Sequence, residues 1–173
     1  MLHEIKEYDC FCLDCWSTMA RTALVLFIGA ENCSAESSFK ENLQKMDQAF
    51  NVYDVESISR MRGGKEYKDK LKYAINHTNC IIIVCSPAMK SFLDDGKSLC
   101  NYKQLKRDER NVLLEGLRQR KQKVILVYLN DNFSGNIPKV LEGIGSPVDG
   151  VNDMDIVGNK ILALLPNREF INA

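Results

Sequence analysis

Residues 80–85 read CIIIVC, an unbroken apolar run whose inner four positions are all β-branched. Such side chains are stiff at χ1 and suit a pleated surface, so the run predicts a strand. It has no polar alternation, and neither face of that strand can be left to water. It therefore belongs inside a sheet covered on both sides, which is the habit of parallel sheets whose crossovers are helices. This requirement constrains the fold more than any other stretch of the chain.

The rest of the sequence supplies the partners such a strand needs. RTALVLFIG (21–29) is a second continuous apolar run, FNVYDV (50–55) a third strand and KVILVYL (123–129) a fourth; GSPVDGV holds a short fifth at the edge. Between them lie helical periodicities. SAESSFKENLQKMDQAF places Phe39, Leu43, Met46 and Phe50 at helical spacing behind serine-rich capping chemistry, and Tyr67, Leu71, Ala74 and Ile75 mark a second stripe. Pro87 opens a helical turn through AMKSFL, residues 94–103 read as a loop, and a charged helix over 102–120 turns Leu105, Val112, Leu113 and Leu117 inward. A brief helix spans 138–142, and DMDIVGNKILALL closes the domain with Val157, Ile161, Leu164 and Leu165 on one face.

The order β-α-β-α-β-α-β-α-(β)-α predicts an α/β fold: a flavodoxin-like, doubly wound, parallel five-stranded sheet with helices on both faces. At 173 residues, 45% of them hydrophobic, one domain over 21–168 is expected, with 1–20 as a leader and 169–173 as a tail. Partners or ligands of this fold meet the carboxyl-end loops, here 29–36, 54–65, 86–103 and 130–137.

Lys+Arg and Asp+Glu balance at 23 each, so no global charge attracts nucleic acid, and recognition must come from local patches. No apolar run is long enough to span a membrane, so no direct membrane insertion is expected. Met1 is not followed by a basic segment, an apolar core and a cleavage site, and the seven cysteines form no even disulfide framework. Reduced thiols and a cytoplasmic location are the expectation. Cys10, Cys12 and Cys15, near His3, are the candidate soft ligands, but a structural zinc site needs a second ligand pair that is missing. No metal is expected.

The first strand-to-helix turn, GAENCSAESS, has one glycine and lacks the dinucleotide fingerprint. RMRGGKEY offers Gly-Lys without the earlier glycine of a phosphate loop, and Glu66 stands where a hydroxyl should bind magnesium. The third strand ends in Cys85-Ser86 rather than the aspartate of a phosphoacceptor domain. His77 reads as the C-terminal cap of a helix, and Ser86 as a hydroxyl bonding the turn before Pro87, so no catalytic triad emerges. KQLKRDERNVLLEGLRQRKQK carries eight basic residues in 21. It reads as a solvated face with Asp108, Glu109 and Glu115 compensating, or as a docking face for an acidic surface.

The stretch NVYDVESISRMRGGKEYKDKLKYAINHTNCIIIVCSPAMKSF resembles the TIR/SEFIR superfamily: Toll/interleukin-1 receptor domains and the SEFIR domains of interleukin-17 receptors and their cytosolic adaptor. The shared layout is a strand, an acidic-to-glycine loop, a helix, a very apolar strand ending in VCS, and a further helix. The likeness extends more weakly from Ala23 to Leu165. The tail LLPNREFINA lacks the Phe-Trp box of receptor TIR domains, RMRGG lacks their loop proline, and YLNDNFSGNIPKVLEGIGSPV is similar to the SEFIR pattern, so the SEFIR-like branch is favoured.

The resemblance implies a non-enzymatic signalling module of innate immunity that binds another SEFIR/TIR-like domain. The contact would be homotypic or between receptor and adaptor, with self-association and without cofactor. The chain would act as a soluble adaptor or as the cytosolic part of a single-pass receptor. The partner-binding residues it points to are Arg60, Met61, Arg62, Gly63, Gly64, Lys65 and Tyr67. Lys103, Lys106, Arg107 and Arg110 form a second face. The complementary acids on a second copy are expected at Asp54/Glu56 or Asp94/Asp95. The alternative is an NAD-cleaving TIR-type hydrolase, for which Glu109 or Glu115 would be the carboxylate; helix alignment places Val112 or Leu113 at its position instead.

Overall fold

The computed structural model describes residues 23–28, 34–46, 50–54, 57–58, 66–97 and 107–165. Strands β1 (Ala23–Ile28), β2 (Phe50–Asp54), β3 (Cys80–Val84), β4 (Val124–Tyr128) and β5 (Val148–Asp149) run parallel in the order β2-β1-β3-β4-β5. Register is set by pairs such as Val25↔Cys80 and Ile81↔Val124, which put β3 at the centre. The helices are α1 (Ser34–Met46), α2 (Tyr67–His77), α3 (Pro87–Asp95), α4 (Arg107–Gln119) and α5 (Met154–Leu164). Short 3-10 turns occupy Lys121–Lys123, Asp131–Phe133 and Lys139–Leu141.

The period of two in β3 divides the core. Ile81, Ile83 and Cys85 pack with Leu71 and Ile75 of α2, Met89 and Phe92 of α3, and Leu113 and Leu117 of α4. Cys80, Ile82 and Val84 face the other layer, against Phe39 and Leu43 of α1 and Val157 and Ile161 of α5. The architecture is thus a mixed α/β domain with a parallel sheet between helical layers, as the polar-free strand demanded. Among the described residues, no helix is long and apolar enough to cross a membrane.

The helix ends follow local chemistry. Ser86 is extended and its Oγ accepts the Met89 N–H at 3.1 Å, while Pro87, with no N–H to lose, sits in the first turn of α3. Gly96 then ends α3 at φ 72°, a left-handed position that a side chain rarely adopts. Two ladder-like additions extend the sheet's reach: Cys85 N–H donates to Val127 O at 2.7 Å and Gly150 N–H to Tyr128 O at 2.9 Å.

Several sequence expectations need correction. Phe50 belongs to β2, not to the stripe of α1, which ends at Met46, and Met46 is 39% exposed. Its thioether end instead lies over Gly158 of α5. Helix α3 continues to Asp95, so the loop expected from residue 94 starts later. Strand β4 is one residue shorter at each end than KVILVYL; at its start Lys123 is taken up by a 3-10 turn. Glu109, read as a solvated compensating charge, is buried.

Candidate functional site

Asp54 closes β2 at the carboxyl end of the sheet. Its Oδ2 pairs with Lys40 of α1, while Oδ1 accepts the Ser57 N–H at 2.8 Å and the Ser57 hydroxyl at 2.9 Å. Burial alone would raise this carboxyl, but the Lys40 hydrogen bond and the Ser57 donors outweigh it and hold it below its ordinary value. The end of β2 is therefore held by a charged anchor. Arg60, Met61, Arg62, Gly63, Gly64 and Lys65 lie outside the described residues, as do Lys103, Lys106, Glu56 and the cysteines Cys10, Cys12 and Cys15. Tyr67 opens α2 half-buried and packs on the core cluster beneath it.

The described part of the second expected face is a groove of about 640 Å³ between α3, α4 and the Lys139–Leu141 turn. The buried Leu93 and Leu114 and the half-buried Val140 form its floor, and Arg110, Arg118, Lys121 and Lys139 line it with four cations. Positions 110, 111, 114, 118 and 121 recur at helical spacing, so α4 and its continuation present one cationic edge. Among the described residues Asp94 is the one carboxylate in the lining, and it is occupied. Oδ2 accepts Lys90 Nζ at 2.7 Å, and Oδ1 accepts the Lys139 N–H at 2.8 Å. Desolvation pushes its pKa up, but these two donors prevail and hold it low. Lys90 also donates to Ile137 O at 3.0 Å, so the groove wall is cross-linked to the segment after β4.

Arg110 does not stand free in this face. Its Nε donates to Phe92 O and its Nη2 to Leu93 O, both at 2.8 Å, and the guanidinium lies over Gly96. It caps the carbonyl end of α3, a role the fork of an arginine fills well. Arg120 does the same for α2 through Ile75 O. Arg107 is exposed at the first turn of α4. Of the residues expected on the second face, Arg110 lines this groove, together with Arg118, Lys121 and Lys139, which were not among them. The signal was present for two of them, at eight and eleven residues beyond Arg110 on the same helical edge.

The candidate carboxylates of an NAD-cleaving site are not brought together. Glu109 is 9% exposed, and Glu115 is exposed with Gln119 and Arg118 beside it. Six residues at 3.6 per turn set them about 120° apart around the helix. Neither lines this groove or a second cavity, a pocket of about 250 Å³ bounded by Val124, Leu126, Val148, Lys160 and Leu164. That pocket lies beside β4 where the two-residue β5 leaves its edge short, away from the cationic groove.

Ser86 is buried with its hydroxyl committed to Met89, and His77 is exposed at the end of α2, stacked on Tyr73 at 3.9 Å with Nδ1 2.8 Å from Tyr73 O. Burial pushes the thiols of Cys80 and Cys85 up to about 12. Among the described residues, no three His, Cys, Asp or Glu side chains are grouped to hold a metal ion. Comparison with protein-family models, with curated proteins and with solved structures gave no match to this chain.

Proposed function

We propose that this chain is an intracellular signalling domain of the SEFIR/TIR type that works by binding its own kind rather than by catalysis. It would join receptor to adaptor, or adaptor to adaptor, in an interleukin-17-type innate immune pathway. The reading takes the five parallel strands in their 2-1-3-4-5 order as a flavodoxin-like, doubly wound sheet, whose carboxyl-end loops meet the partner. The observation that carries it is the α3–α4 groove: four cations around apolar surface, with the single carboxylate already bonded to Lys90 and Lys139. Such a surface offers charge to steer an acidic partner, with a small apolar floor beneath it. The Asp54 anchor supports the same reading, because it fixes the end of β2 from which the segment with Arg60 and Arg62 follows in sequence.

The test is capture of untagged chain by a tagged copy, with Arg60→Glu and Arg62→Glu introduced together. Reduced capture by a variant that unfolds at the wild-type temperature is the expected result, and unchanged capture would remove the loop from the interface. Incubation of concentrated protein with NAD tests the enzymatic alternative. Nicotinamide release lost in Glu109→Ala or Glu115→Ala would replace the interaction reading with a hydrolase.

A further inference from the structure

The chain is neutral overall, yet its charges are segregated. Residues 103–123 hold eight cations against three acids, whereas no Lys, Arg or His occurs between Lys139 and Lys160. That second interval contains Glu142, Asp149, Asp153 and Asp155. It also carries Val151 at 61% exposure and Ile156 at 42%, and Val151 is the most exposed large hydrophobic among the described residues. Val151 is held in place from within: Asp149 Oδ1 accepts the N–H groups of Val151 at 2.8 Å and Asn152 at 3.0 Å, and Oδ2 accepts Asn152 Nδ2 at 2.9 Å. These donors keep the Asp149 carboxyl below its ordinary pKa. Nearby, burial first and then the charges of Asp149, Asp131 and Asp153 raise the Tyr128 phenol, so three carboxylates gather at this corner. The result is a pre-shaped acidic knob with two aliphatic side chains at its surface.

The groove on α3 and α4 is its complement in charge, cationic at the sides, and the half-buried Val140 over the buried Leu93 and Leu114 gives it an apolar floor. We propose that the α3–α4 groove receives the Val151–Ile156 knob of a second copy of this chain. The inference rests on the interaction reading above and names the two surfaces it uses. Groove and knob are different patches, so the contact is heterologous: each bound copy still offers a free groove or a free knob, and assembly runs head to tail. A twofold contact of groove on groove would set four cations against four and is disfavoured.

The experiment is sedimentation velocity on the full chain, using a groove variant (Arg118→Glu with Lys121→Glu) and a knob variant (Val151→Ser with Ile156→Ser). All four positions are at least partly exposed, and unfolding temperature is checked for each. Lys139→Glu and Asp155→Lys, also at exposed positions, serve as a second pair if either variant folds poorly. Wild type is expected to associate with rising concentration, and each variant to weaken that association about tenfold or more. An equimolar mixture of the two variants is expected to form a complex that stops at two chains, because one intact groove then meets one intact knob. Variants that associate as wild type does, or a mixture that is not restored, would overturn the groove–knob pairing while leaving the interaction reading in place. A wild-type chain that stays monomeric at every concentration would overturn both. Binding of an unrelated acidic peptide in the groove without self-association would also overturn the pairing.

Discussion

Gly116 of α4 lies against Ile75 of α2 with no room for a side chain between them. A Cβ at 116 would come within 2.5 Å of Ile75 Cγ2 and 3.3 Å of its Cδ1. The two helices cover the same face of the sheet, and Arg120 at the end of α4 bonds Ile75 O, so the crossing is fixed at both the apolar and the polar level.

Gly116→Ala sets two effects against each other. Alanine is favoured over glycine in a helix by about 1 kcal/mol, while overpacking a tight core contact costs about 1–3 kcal/mol. Both Ile75 and Gly116 are buried, so the second effect is expected to win and chemical denaturation to show a net loss. Adding Ile75→Ala removes the clashing methyl, so the double variant should be more stable than the sum of the two single losses predicts. Strict additivity would contradict this close approach.

Arg110→Ala separates a structural cation from an interface cation. It strips both side-chain donors from Phe92 O and Leu93 O at the end of α3, and a loss of about 1–2 kcal/mol is expected. Arg118→Ala, whose side chain is 59% exposed beside Glu115, should leave the unfolding temperature nearly unchanged. Equal stability of the two variants would remove the capping role assigned to Arg110.

How far the sequence speaks for itself is visible in these same residues. The CIIIVC strand, the Ser86-Pro87 helix start and the stripes of α2 and α5 were legible, because each is decided by side-chain type within a few neighbours. Glu109 and Arg110 were not. Which charged residue of an amphipathic helix turns inward depends on where the next helix ends, and the α3 carbonyls that claim Arg110 are 17 and 18 residues away. Of the acids expected to meet a second copy, Asp54 and Asp94 are bonded within their own chain, by Lys40 and Ser57 or by Lys90 and Lys139, while Asp95 is exposed and Glu56 lies outside the described residues. The proposed acidic knob at 149–156 lies in the interval between Lys139 and Lys160, which holds no cation.

Acid stability tests those two anchors. Asp54 and Asp94 both titrate below their ordinary value in the folded chain, so the stability they contribute is complete above about pH 4, the unfolded value. It is lost as pH falls through the lower folded-state values. Asp54→Asn should cost about 1–2 kcal/mol at neutral pH and flatten the acid limb of the stability curve. An unaltered limb would show that the Lys40 pairing contributes nothing.

Ser86→Ala should lower stability by about 1 kcal/mol through the lost cap on α3, and serine-directed covalent reagents should leave Ser86 unlabelled. Cys80 and Cys85, with thiols raised to about 12, should likewise escape alkylation in the native chain at neutral pH and react only on unfolding. Peptide mass spectrometry reads both outcomes, and native labelling at Cys85 would contradict the packing around β3.

The central claim is that this domain acts by binding its own kind through a cationic, partly apolar face. Sedimentation velocity of the unmodified chain over a wide concentration series tests it most directly, run at about 0.1 M and about 1 M salt, where the Debye length falls from about 10 to about 3 Å. The account predicts a sedimentation coefficient that rises with concentration in low salt and falls back towards the monomer in high salt. A chain that sediments as the same monomer at every concentration and at both ionic strengths would contradict it.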